Sequence, residues 1–132
     1  MADPSWMSPA ERRQAYLRRL SPHSLRGASL RYCLLTLLHD AGRPMSIDEL
    51  IRSLERRGLV VGGRDPRKTM GDVLRYEAGK GRVQRVARGS YRIGGRRSRS
   101  TVHRHRRRLA DLVAEGARRR RAGEVERPDG PE

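Results

Sequence analysis

The chain has 132 residues, of which 35% are hydrophobic, so we expect one small folded unit with solvated extensions rather than several domains. Lys and Arg number 31 against 15 Asp and Glu, and the formal charge of +16 indicates a nucleic acid or another anionic partner. The single cysteine, Cys33, excludes a disulfide framework within the chain and indicates a buried thiol. The sequence has no apolar run long enough to predict a membrane span, and its first residues lack the apolar core of a signal peptide. We therefore expect a cytoplasmic protein, located at the nucleoid.

Residues 1–27 are predicted to be a flexible N-terminal extension with a short helix over residues 8–20. Ser8 can cap that helix, Pro9 suits its first position, and Glu11 completes a capping box. Because the segment has few apolar side chains, its sequence leaves open whether the helix packs on the main domain or is solvated.

The main domain is predicted over residues 28–94 and begins with the helix ASLRYCLLTLLHDAG. Gly42 is placed to end this helix, and Pro44 prevents its continuation. Cys33 widens an apolar stripe that has helical spacing and consists of Leu30, Leu34, Leu37, Leu38 and Ala41.

The second predicted helix lies in PMSIDELIRSLERRGL, where both ends are encoded. Ser46 and Glu49 form a capping box at its start. Gly58 ends it, and Leu59 can meet Leu54 in a Schellman closure. The buried stripe is predicted to be Ile47, Leu50, Ile51 and Leu54.

The third predicted helix lies in DPRKTMGDVLRYEAGKG, with Asp65 as cap, Pro66 at its first position and Gly79 at its end. Its inward side chains are predicted to be Met70, Val73 and Leu74. The solvent-facing side of this helix is predicted to contain four residues that are three or four positions apart: Arg67, Lys68, Gly71 and Arg75.

A β-hairpin is predicted in VQRVARGSYRIG, with Ala87, Arg88 and Gly89 as a three-residue loop. A very short strand can precede the second helix at residues 43–45. The order of elements is therefore typical of a winged helix-turn-helix, and the predicted fold class is mainly α with a small β-hairpin.

Residues 95–123 are predicted to be an arginine-rich tail, followed by an acidic disordered end at 124–132. The tail has too few large apolar side chains for a core of its own, although a basic helix over about residues 101–121 can form on a polyanion.

The distribution of charge is more informative than its amount, because arginine supplies 29 of the 31 basic residues and a GC-rich coding sequence would also produce that bias. Residues 28–59 carry five basic and four acidic groups, whereas residues 60–94 carry nine and three. This asymmetry indicates a ligand for the third helix and the hairpin. The alternative is a charged surface that only aids solubility.

The stretch from about Leu30 to Ile93 resembles the winged helix-turn-helix module called HARE-HTH, which is found in bacterial restriction and transcription-associated proteins and in eukaryotic chromatin proteins. The resemblance lies in the apolar first helix, GRPMSIDELIRSLERRGL, DPRKT with Thr69, and VQRVARGSYRIG, although Val83 stands where the family usually has an aromatic residue. It implies DNA binding, while some winged helices bind RNA or proteins instead.

In helix-turn-helix geometry the third helix enters the major groove. We therefore predict that the third helix and the hairpin contact DNA through Arg64, Arg67, Lys68, Arg75, Arg85, Arg88 and Arg92. The tail is predicted to follow the phosphate backbone through Arg96, Arg97, Arg99, Arg104, Arg106, Arg107 and Arg108. Thr69 is predicted to bond its own helix and Tyr91 to lie in the core, while Gly71 suits either a ligand or helix packing.

The sequence predicts no metal, cofactor or catalytic site. The four histidines, at positions 23, 39, 103 and 105, lack metal-ligand spacing, and there is no phosphate loop or nucleophile motif. Three classes of function remain: a DNA-binding transcription regulator or nucleoid-associated factor, an RNA-binding or ribosome-associated protein, and an interaction module for an acidic protein. The sequence indicates no oligomeric state.

Overall fold

A computed structural model describes residues 8–11 and 25–125, and within them the chain is mainly helical with a small three-stranded antiparallel sheet. The elements in chain order are α1 (Gly27–Ala41), β1 (Met45–Ser46), α2 (Ile47–Arg56), α3 (Pro66–Gly79), β2 (Val83–Ala87), β3 (Ser90–Ile93) and α4 (Arg99–Val125).

Helix α1 is the centre of the core. It ends as predicted, where Gly42 adopts a φ of 62° and its N–H donates to the carbonyl of Leu38. Every residue from Cys33 to Leu38 is buried, which covers the whole circumference of a helix with 3.6 residues per turn. The predicted one-sided stripe was therefore too narrow, because α1 has neighbours on more than one side.

Helix α2 begins and ends as the sequence predicts. The Ser46 hydroxyl accepts from the Glu49 N–H, and the Glu49 carboxylate accepts from the Ser46 N–H. At the other end the Leu59 N–H donates to the Leu54 carbonyl at 2.9 Å, while Gly58 takes a φ of 77°. These bonds form the Schellman closure that was expected.

Helix α3 begins at Pro66, and the Asp65 carboxylate accepts from the Lys68 N–H at 3.3 Å, as predicted. The helix includes Gly79, but the left-handed residue of its closure is Gly81, with a φ of 77°. Gly71 is buried rather than on the outer side, and a methyl group at its Cα would lie 4.0 Å from the Ile47 Cδ1 atom. Gly71 therefore belongs to the contact between α2 and α3.

The sheet has the order β1-β3-β2, and the short strand expected before α2 is present as β1. Met45 pairs with Tyr91, and Val83 pairs with Ile93. Ala87 is paired with Ser90 across a bulge, so the hairpin loop consists of Arg88 and Gly89 rather than the three residues predicted. Gly89 has a φ of 70° and is suited to that loop.

The core extends beyond the predicted boundaries. Leu25 is 2% exposed and forms a parallel bridge with Val61, although we had assigned it to the extension. Of the predicted N-terminal helix, residues 8–11 show the expected capping box, since the Glu11 N–H donates to the Ser8 hydroxyl at 3.1 Å. Residues 12–20 and the acidic end from 126 onward lie outside the described residues.

Cys33 is a buried free thiol, as predicted, and burial raises its pKa to about 12.

The largest departure from the sequence-based expectation is α4. It forms the predicted basic helix, but it packs chiefly against α1 instead of lying free as a tail. Leu109 and Leu112 are 8% and 9% exposed and belong to the same core cluster as α1. The few apolar side chains of α4 are therefore sufficient to pack this helix on the core, because α1 supplies the apolar surface that they contact.

Candidate nucleic-acid interface

A cleft of about 510 Å³ lies between α3 and the β2–β3 hairpin. Four arginines from two separate elements line it, together with an apolar floor and one glycine: Arg67, Arg75, Arg85, Arg88, Ile47, Tyr91 and Gly89. We call this site the arginine cleft. Convergence of cations from different elements favours a polyanion over simple solvation of charge.

Helix α3 supplies Arg67 and Arg75, which are both exposed and eight residues apart. At a rise of 1.5 Å per residue they are separated by about 12 Å along the helix. Arg67 pairs with Asp48 of α2, and Arg75 pairs with Asp72 one turn before it. All these side chains are at least half exposed, so the pairs contribute only about 0–1 kcal/mol each.

The hairpin supplies Arg85 and Arg88. Arg85 lies opposite Tyr91 in the antiparallel register, and the bulge between Arg85 and Ala87 displaces the end of the hairpin. Arg88 occupies the exposed loop. Unlike the arginines of α3, neither makes an ion pair with any described residue.

The floor of the cleft is rigidly connected to the core. Tyr91 is only 3% exposed, which confirms its prediction as a core residue. The Ile47 N–H donates to the Gly89 carbonyl at 3.0 Å, so the start of α2 holds the hairpin loop in place. These contacts therefore position the hairpin loop relative to α2.

A buried ion pair fixes the other end of the hairpin to α3. Glu77 is 1% exposed, and its carboxylate accepts two bonds from the Arg82 guanidinium, one of them at 3.0 Å. The Arg82 N–H also donates to the Glu77 carbonyl. The hydrogen bond to Glu77 raises the pKa of Arg82, which keeps this anchor charged.

Three predicted contact residues do not line the cleft: Arg64, Lys68 and Arg92. Arg92 pairs with Gln84 and lies on the opposite face of β3 from Tyr91, because side chains alternate along a strand. Lys68 pairs with Asp72 at 3.4 Å, and the Asp65 carboxylate already occupies the first turn of α3. The Thr69 hydroxyl donates to the Asp65 carbonyl, as expected for a side chain that bonds its own helix.

The predicted phosphate contacts of the tail divide into two groups. Arg97 is partly buried and donates to the Leu35 carbonyl at 3.2 Å and to the His105 Nδ1 atom at 2.7 Å. The His105 ring stacks on Tyr32 with a centroid distance of 4.7 Å. Burial lowers the pKa of both Arg97 and His105. Arg97 therefore anchors α4 to α1, and its contact with DNA stays a prediction.

Two further tail residues face α1 as well. Arg106 pairs with Asp40, and Arg108 donates to the Ser29 hydroxyl at 3.3 Å. Arg120, which we did not single out, donates to the Gly58 carbonyl at 2.7 Å and so joins α4 to the end of α2. These contacts position α4, although Arg106 and Arg108 also remain solvent-exposed.

The remaining tail arginines lie on the solvent side. Arg96 and Arg99 are exposed at the start of α4. Farther along, spacings of three and eleven residues, where eleven residues make about three turns, place one row of exposed side chains on a single face of α4, which we call the outer stripe: Arg104, Arg107, Arg118 and Arg121. We had missed Arg118 and Arg121 as individual candidates, and their helical phase relative to Arg107 is the signal that identifies them.

No family model, curated protein or solved structure matches this chain. Among the described residues, no group of three or more His, Cys, Asp or Glu side chains could hold a metal ion. The helices in residues 8–11 and 25–125 include none that is long and apolar enough to span a membrane. Function must therefore be inferred from the geometry and charge of the surface.

Proposed function

We propose that the protein is a DNA-binding protein with a winged helix-turn-helix domain, formed by α1, α2, α3 and a wing made of β2 and β3. The observation that carries the proposal is the arginine cleft, in which the exposed face of α3 and the hairpin present four guanidinium groups to one space. The order of elements and the resemblance to the HARE-HTH module support the same class. The role that fits so small a domain is that of a transcription regulator or a nucleoid-associated factor.

In this proposal α3 enters the major groove, which is about 12 Å wide. Arg67 and Arg75 follow the groove, where a guanidinium can bond the N7 and O6 atoms of guanine. Arg85 and Arg88 reach the flanking phosphates, because hairpin arginines that make no ion pair with a described residue are available to neutralise them. Phosphates displace Asp48 and Asp72 at low cost, since exposed ion pairs are weak.

The test is the affinity of the protein for a short duplex, measured by fluorescence anisotropy over a series of salt concentrations. We expect Arg85→Gln with Arg88→Gln to weaken binding and to reduce the slope of log affinity against log salt by about 1.8, because each phosphate contact contributes about 0.9. The matched control is Arg52→Gln with Arg56→Gln, which removes the same charge from exposed positions on α2.

If the control variant weakens binding as much as the cleft variant does, net charge rather than the cleft is responsible, and the proposal fails. A structured RNA measured at the same salt provides the second arm. Tighter binding of that RNA than of the duplex would replace DNA with RNA as the partner.

A further inference from the structure

Helix α4 has two faces with different tasks. Its inner face contains the buried Leu109 and Leu112 and the side chain of His105, which bonds Arg97 just before the helix. The outer stripe lies on the opposite side, and its four arginines are exposed and make no ion pair with any described residue. From Arg104 to Arg121 the stripe is about 26 Å long, or about eight base pairs of duplex at 3.4 Å each.

The fold does not need this stripe. The contacts of the inner face hold α4 on α1, whereas like charges three or four residues apart destabilise a helix. Asp111 is the one acidic residue among the exposed positions of the stripe between Arg104 and Arg121. A row of cations that costs helix stability and makes no ion pair among the described residues indicates a surface for an external polyanion.

The outer stripe and the arginine cleft are separate surfaces. The residues that line the cleft come from α2, α3 and the hairpin, and none of them belongs to α4. Helix α4 packs chiefly on α1, where it contacts Tyr32 and Asp40. The stripe and the cleft therefore share no residue, and a duplex can contact either surface separately.

We propose that the outer stripe of α4 is a second duplex-binding surface, and that one molecule can hold two duplex segments, one in the cleft and one on the stripe. This inference rests on the proposed function of the cleft. The stripe belongs to a single helix, and its arginine side chains only donate hydrogen bonds. It therefore contacts phosphates without choosing a sequence, and its binding depends on salt.

The experiment measures capture of a second duplex. One duplex is immobilised, the full chain is added, and retention of a second, fluorescent duplex is recorded alongside the affinity for a single short duplex. Three variants remove two charges each: Arg107→Gln with Arg118→Gln on the stripe, Arg85→Gln with Arg88→Gln in the cleft, and the control Arg52→Gln with Arg56→Gln. Circular dichroism verifies that the stripe variant retains the helical content of the wild type.

We expect the wild type and the control to retain the second duplex. The stripe variant should lose about tenfold in capture at moderate salt, because two phosphate contacts are lost, while its affinity for the immobilised duplex changes little. The cleft variant should lose both properties.

A wild type that binds one duplex but captures no second one overturns the inference and leaves the proposed function intact. Equal capture by the wild type and the stripe variant also overturns it, and light scattering would then show whether a dimer with two clefts is responsible. Retention of a structured RNA in place of the second duplex would assign the stripe to RNA. A wild type that binds no duplex contradicts the proposed function itself.

Discussion

The arginine cleft and the outer stripe of α4 carry the same kind of charge but are built differently. The cleft joins two elements over the apolar floor of Tyr91 and Ile47, and carboxylates border it at Asp48 and Asp72. The stripe belongs to one helix and is open to solvent. A cleft with partly neutralised cations from two elements is suited to selective contact, whereas an open row of cations is suited to holding a phosphate backbone.

The contacts of the inner face of α4 mean that deleting α4 is not a clean test of the outer stripe. Leu35 is 1% exposed, and Arg97 bonds its carbonyl. A chain that ends before α4 would expose this side of α1 to water and lose stability as well as charge. Point substitutions on the outer stripe are therefore the cleaner comparison.

The largest expected effect is on the free energy of unfolding. It compares the packing of α2, which supports the cleft, with the packing of α4, which carries the stripe. Leu54→Ala, at a fully buried position in α2, should lower the free energy of unfolding by about 2–5 kcal/mol. Leu112→Ala, at the edge of the α1–α4 contact, should cost about 2 kcal/mol or less, because its side chain retains some exposure. Urea denaturation followed by circular dichroism measures both, and a larger loss at Leu112 than at Leu54 would contradict this difference between the two packing regions.

The next effect concerns selectivity. Arg67→Ala with Arg75→Ala should weaken binding to a preferred duplex by about 1–3 kcal/mol if either residue bonds a base. The melting temperature should stay near that of the wild type, since both side chains are more than half exposed. Anisotropy with preferred and random duplexes checks this, and unchanged discrimination between them would remove α3 as the element that reads sequence.

A smaller effect of opposite sign is expected from the carboxylates beside the cleft. Asp72→Asn removes the partner of Arg75 and Lys68 together with a charge that repels phosphate. Because such exposed pairs are worth about 0.2–1 kcal/mol, duplex affinity should rise by only a few-fold at low salt. Asp111→Asn on the stripe is the matched change, and it should leave the affinity of the cleft unchanged.

The smallest effect concerns the attachment of α4 and depends on pH. Burial is the largest cause that lowers the pKa of His105, followed by the charges of Arg97, Arg31 and Arg104, while Glu77 acts in the opposite direction. The Arg97 guanidinium only donates, so it requires an unprotonated Nδ1 atom on His105.

The stability that comes from neutral His105 is therefore complete above the ordinary histidine pKa of about 6.5. It declines as the pH falls from that value to the lowered pKa of the folded state. The difference in melting temperature between the wild type and His105→Gln, measured from pH 7.5 to pH 5, should decrease or reverse on acidification. A constant difference would show that the protonation of His105 does not affect the docking of α4.

Local signals in the sequence predicted much of the fold. The capping box of Ser46 and Glu49, the closure at Leu54 and Leu59 and the cap at Asp65 are all present, because each depends on side chains only a few residues apart. The hairpin and its left-handed Gly89 follow the same logic. These features place α3 and the hairpin, and hence the cleft.

The sequence could not reveal contacts between distant segments. Leu109 and Leu112 of α4 join the core cluster that contains α1, although the apolar side chains of α4 are too sparse to indicate a core on their own. Arg97 looked like every other tail arginine, yet its guanidinium bonds a carbonyl 62 positions earlier in the chain. Helical spacing alone sorts the arginines of α4 onto different faces of the helix. It does not show which face contacts α1, so the sequence could not tell the anchoring arginines from the exposed ones.

The most direct test of the central claim is to map the duplex on the protein by NMR. The amide signals of the ¹⁵N-labelled chain would be followed during titration with a duplex of about 12 base pairs, slightly more than one helical turn. We predict that amides of α3 from Arg67 to Arg75 and of the hairpin from Arg85 to Gly89 shift at the lowest duplex concentrations, while those around Arg52 on α2 do not. Shifts confined to α4, with α3 and the hairpin unaffected, would contradict the assignment of the arginine cleft as the duplex-binding site.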